Sequence, residues 1–103
     1  MSRREQLESM LADSPKDTFL RYALAMELNS EEDHEKSLKI HESLMHDVPP
    51  YVPSFFMSGQ QLAKLDRIEE ACQVLRDGIL QAREQGDTHA AGEMNEFLAS
   101  LLD

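Results

Sequence analysis

Phe55-Phe56-Met57-Ser58-Gly59-Gln60-Gln61-Leu62-Ala63-Lys64-Leu65-Asp66-Arg67-Ile68-Glu69-Glu70-Ala71-Cys72-Gln73-Val74-Leu75 is the stretch that decides the fold. Ile68, Ala71, Val74 and Leu75, with Ile79 just beyond, recur at the three- and four-residue steps of a helix. Phe55, Gly59 and Leu62 keep the same spacing before them. That earlier helix opens at Pro53, whose missing N–H has no partner to lose in a first turn, and runs to about Leu65. Asp66, followed three residues later by Glu69, reads as a capping-box-like start for the second helix. Gly59 and Ala71 are small enough to let two paired helices approach closely.

Outward from this pair the chain repeats. Pro15 and Pro49 are 34 residues apart, and three sets of positions recur on that offset: Leu7, His41 and Leu75; Met10, Leu44 and Gly78; Leu11, Met45 and Ile79. Ser2 and Glu5 form a capping box for a first helix over 2–13, with Leu7, Met10 and Leu11 on one face. Pro15 ends it, and Lys16-Asp17-Thr18 opens a second helix carrying Phe19 to Leu28. Asn29-Ser30 breaks the pattern. Glu31, Glu32 and Asp33 then place negative charge at the positive end of a third helix, which reaches about His46 and buries Leu38, Leu44 and Met45. Pro49-Pro50-Tyr51-Val52-Pro53 is a stiff connector into the fourth. After the fifth, Gly86 closes a loop and Asp87 caps a last helix lined by Ala90, Met94, Phe97, Leu98 and Leu101. Six helices and no strand predict an all-α protein.

Composition narrows the function. The 103 residues, 41% hydrophobic and 29% charged, suit one folded domain. Twenty Asp and Glu against ten Lys and Arg give a net charge of −10, which phosphate backbones and anionic membranes repel, so neither nucleic acid nor membrane is expected as a partner. No apolar run is long enough to span a bilayer and the N-terminus has no signal-peptide core, which points to a cytoplasmic protein. Cys72, the one cysteine, reads as a small core residue.

The 34-residue unit of two helices resembles the tetratricopeptide repeat. Phe55, Gly59 and Ala71 match its signature, Leu62 and Leu75 match conservatively, and Ser58 departs from it. One unit earlier Ala25 and Ser37 keep the small positions, while Arg21 and His41 depart. The resemblance implies a short right-handed α-solenoid of antiparallel helix pairs: an N-terminal helix over 2–15, repeat units over 18–51 and 52–85, and a C-terminal capping helix over 87–103. The flanking helices cover the two ends of the core.

In this family the first helices of successive units line a groove that holds a partner's peptide. Carried over by position, the groove residues are Phe19, Tyr22, Met26 and Asn29 from the first unit and Phe56, Gln60, Ala63 and Lys64 from the second. Tyr22, Phe56, Met26 and Gln60 stand where carboxylate-binding members carry basic and asparagine residues, which argues against capture of a C-terminal carboxylate. An aromatic and methionine surface suits an apolar or amphipathic segment of another protein. Two alternatives stay open: the C-terminal helix fills the groove with Phe97, Leu98, Leu101 and Leu102, or a homodimer buries it. His34, His41 and His46 lack the spacing of helical metal ligands and read as surface residues. No phosphate loop, nucleophile motif or cofactor motif is present, so an interaction adaptor rather than an enzyme is predicted, with no metal or cofactor.

Overall fold

The computed structural model describes all residues from Met1 to Asp103 and contains six α-helices and no strand. They are α1 (Arg3–Asp13), α2 (Thr18–Ser30), α3 (His34–Met45), α4 (Val52–Lys64), α5 (Ile68–Glu84) and α6 (Thr88–Leu102). Consecutive helices pack on one another, and α4 also touches α6, so α2, α4 and α6 form one layer with α1, α3 and α5 behind it. The 34-residue spacing holds from α2 to α4 and from α3 to α5, whereas α6 begins 36 residues after α4 because α5 is longer than α3.

The helix starts follow the side chains available. Ser2 Oγ accepts from the Glu5 amide and Glu5 Oε1 accepts from the Ser2 amide, both at 3.1 Å, completing the expected box. Asp17 caps α2 through the Leu20 amide, and Asp87 caps α6 through the Ala90 amide.

Asp66 does not cap α5, contrary to the sequence reading. It takes a left-handed conformation at φ 62°, as do Glu32 at φ 64° and Gly86 at φ 78°. The next amide in each case, Asp33, Arg67 or Asp87, reaches back to the carbonyl of Leu28, Leu62 or Ala82 at 2.8–2.9 Å. This closure satisfies carbonyls that a helix end leaves free, and Asp tolerates the geometry better than most non-glycine residues. The break after α2 correspondingly falls at Glu31–Asp33 rather than at Asn29-Ser30.

Two apolar clusters make the core. Leu7, Leu20, Leu24 and Leu28 join α1 to α2, with Leu11, Ala23 and Ile40 against them. The larger cluster holds Val52, Phe55, Cys72, Leu75, Ile79, Ala82, Ala91, Met94 and Leu98 from α4, α5 and α6. Five buried polar residues, Ser37, His41, Ser54, Ser58 and Gln61, lie on α3 and α4 between these groups. Ser37 Oγ donates to the Ala25 carbonyl at 2.6 Å, so α2 and α3 approach closely where both residues are small and fully buried. At Gly59 an added Cβ meets Leu75 Cδ2 at 2.6 Å, so its close approach is to Leu75.

Arg21, a departure from the repeat signature, ties the two helices of the first unit together at one edge. Its guanidinium donates to both Asp47 carboxylate oxygens at 2.6 and 3.2 Å and to Ser43 Oγ at 2.9 Å. The pair is partly shielded, so Arg21→Ala is expected to lower the urea midpoint by an amount corresponding to about 1–2 kcal/mol. Arg21→Lys should recover only part of the loss, since an ammonium cannot match the two-oxygen fork.

Candidate functional site

The layer formed by α2, α4 and α6 carries all eight candidate groove residues on its first two helices. The structure does not gather the eight into one enclosed cavity. It distributes them along a shallow face, in three settings.

Tyr22 is half-buried and stacks edge-on against Tyr51, with ring centroids 5.4 Å apart, and against His41 at 5.5 Å. Burial, and to a smaller extent Tyr51, pushes the Tyr22 phenol above its usual pKa. This ring is a strut between α2, α3 and the start of α4 as much as an exposed surface. His41 is fully buried, which overturns its reading as a surface histidine. It occupies the repeat position of Leu75 and faces inward for the same reason that leucine does. Its Nδ1 lies 3.0 Å from Ser54 Oγ, its Nε2 has no partner, and burial lowers its pKa to about 4. The imidazole is therefore neutral at pH 7. His34 pairs with Asn29 Oδ1 at 3.0 Å and His46 with the Glu42 carbonyl at 2.8 Å, so the three histidines do not converge.

Asn29 thus ties the end of α2 to α3. Met26, Gln60 and Ala63 are partly exposed on the same face, and Lys64 is exposed at the end of α4. Phe19 stands at the far edge with 72% of its surface free.

Phe56 marks the third setting. Its half-buried ring lies 6.1 Å from that of Phe97 on α6, at an angle of 55°. The two rings, with Glu93, Glu96 and Ser100, line a hollow of about 450 Å³ that is open to solvent. The C-terminal helix therefore forms a wall beside α4. Sequence reasoning missed Glu93, Glu96 and Ser100 as members of this face because the 34-residue frame places α6 two residues early. The longer α5, signalled by the insertion around Gln85-Gly86, is what shifts it.

A larger hollow, of about 930 Å³, opens at the helix ends between Lys16, Arg21, Asp47, Val48, Tyr51 and Gln85. Two of its polar groups are already engaged: Arg21 holds Asp47, and Gln85 donates to the Pro50 carbonyl at 2.8 Å.

Among solved structures, a tetratricopeptide repeat domain protein from Salinibacter ruber is similar, with 31% identity and a TM-score of 0.79 over 84% of this chain and 88% of that one. A protein from Bordetella parapertussis, 24% identical, superposes with a TM-score of 0.83 over 99% of this chain and 89% of its own, and shares the fold. No protein-family model matches the chain. No curated protein sequence matches it either. No helix is long and apolar enough to cross a membrane.

Proposed function

The chain belongs to the tetratricopeptide repeat family, and on that premise we propose that it is an interaction module whose α2–α4–α6 face docks an apolar or amphipathic segment of a partner protein. The observation that carries this reading is the open side of Phe56, half-buried beside Phe97 at the edge of a solvent-filled hollow, with Met26 and Gln60 partly exposed on the same layer. Rings and thioethers exposed together bury much area at small entropy cost when a partner covers them. Peptide placement on the eight candidate residues is part of the proposal, with the greatest weight on Met26, Phe56 and Gln60 and less on Tyr22, whose ring also holds α3 and α4 together.

The test replaces Met26 and Phe56 with Ser and measures capture of the partner by affinity purification alongside helicity by circular dichroism. Loss of binding equivalent to about 2 kcal/mol or more at a helicity equal to the parent's is expected, the size usual for an interface anchor. Undiminished capture removes this face from the reading.

A further inference from the structure

The docking face changes character along the array. On α2 and α4 it presents rings, a thioether and amides, with a single cation, Lys64, at the end of α4, whereas on α6 it presents carboxylates beside Phe56. The Phe56 and Phe97 rings sit together in the hollow, with Glu93, Glu96 and Ser100 lining it beside them. Neither carboxylate is neutralised by a lysine or arginine. Glu93 approaches only His89, one turn earlier on α6, and Glu96 has no ion-pair partner. The cations that do form ion pairs, Arg4, Arg21, Lys36 and Arg67, take carboxylates elsewhere.

A ring face attracts a cation through its quadrupole, and the carboxylates beside the rings add a Coulomb attraction of the same sign. An apolar side chain seated there would strip water from two unpaired carboxylates. An acidic one would be repelled. From the ring pair and the carboxylates beside it, we infer that the Phe56–Phe97 hollow receives a Lys or Arg side chain of the docked segment, so that the partner segment is a basic amphipathic one. The inference rests on the docking face proposed above and adds its charge class. The net charge of −10 acts in the same direction, steering a basic segment toward the protein.

The experiment uses the full chain and two synthetic amphipathic helical peptides of equal length, about four turns each, with Leu at the i, i+3, i+4, i+7 positions of one face and either Lys or Glu on the other, followed by fluorescence anisotropy. Glu93→Gln with Glu96→Gln is compared with Glu42→Gln with Asp77→Asn, which removes the same charge from the opposite, α3–α5 side. The Leu/Lys peptide should bind, the Glu93/Glu96 variant should weaken it by about tenfold, and the opposite-face variant by less than about threefold. Phe97→Leu, which keeps apolar bulk but removes the ring, should also weaken it. Equal losses for the two double variants, or no loss at Glu93 and Glu96, overturn the inference by reducing it to overall charge. Equal binding of the two peptides overturns it while leaving the docking face standing. Binding of neither peptide overturns both.

Discussion

Gly78→Ala is expected to lower folded stability by about 2 kcal/mol, while Gly92→Ala raises it by about 1 kcal/mol, although both glycines lie inside helices and the substitution is identical. The helical preference for alanine favours each change to the same extent, about 1 kcal/mol. Packing decides the difference. A Cβ on Gly78 would stand 2.5 Å from Phe55 Cβ and 2.7 Å from Met94 Sδ, where α4, α5 and α6 come together. Phe55 Cβ is bonded to the backbone and cannot retreat without shifting α4, and Met94 is fully buried. Overpacking of this kind costs more than the propensity gain returns. A Cβ on Gly92 meets nothing within 4 Å. Thermal melts should separate the two variants in opposite directions from the parent, by about 4–8 °C per kcal/mol for a domain of this size. Shifts of the same sign would mean that α5 does not approach Phe55 and Met94 as closely as the structure places it.

Gly78 also shows how far the sequence could be read. Its place in the recurrent set with Met10 and Leu44 is visible from the 34-residue offset, yet only the packing of α5 against Phe55 of α4 and Met94 of α6 gives the reason for a glycine there. The six helices were legible because apolar spacing, Ser2–Glu5 and Asp17 are local signals, and local signals survive folding. Asp66 was misread because an acidic residue before a helix serves equally as a cap or as a left-handed closing residue. The distinction lies in the Arg67 amide reaching the Leu62 carbonyl, which no spacing reveals. The helices that carry the candidate residues, α2 and α4, were legible because the repeat frame is intact there. The frame fails at α6, where two added residues in the α5 region bring Glu93, Glu96 and Ser100 to the hollow with Phe56. His41 differs from its sequence reading for the opposite reason: a histidine's type suggests the surface, but the repeat position it shares with Leu75 is buried.

His41 supplies the second large effect, a loss of about 3 kcal/mol of stability as pH falls from 7 to 4. Desolvation is the cause of its depressed pKa of about 4 in the fold, against the ordinary value of 6.5 for an unfolded chain. Between those values the unfolded state binds more protons than the folded one, so acid favours unfolding. The stability is fully present above pH 6.5 and is drawn down as pH falls through the window to about 4. The groups touching the ring, Ser54 Oγ and the Tyr22 edge, carry no charge that would offset an imidazolium. The measurement is the difference between the parent and His41→Leu, which isolates the contribution of this ring. Leucine removes the unpartnered Nε2 but leaves Ser54 without its bond, two effects of similar size and opposite sign. The variant should therefore match the parent within about 1 kcal/mol at pH 7 and exceed it by about 2 kcal/mol at pH 5. Urea unfolding at the two pH values reads this directly. Parallel losses in both proteins would show that His41 is charged in the folded state, and that the seam between α3 and α4 admits water.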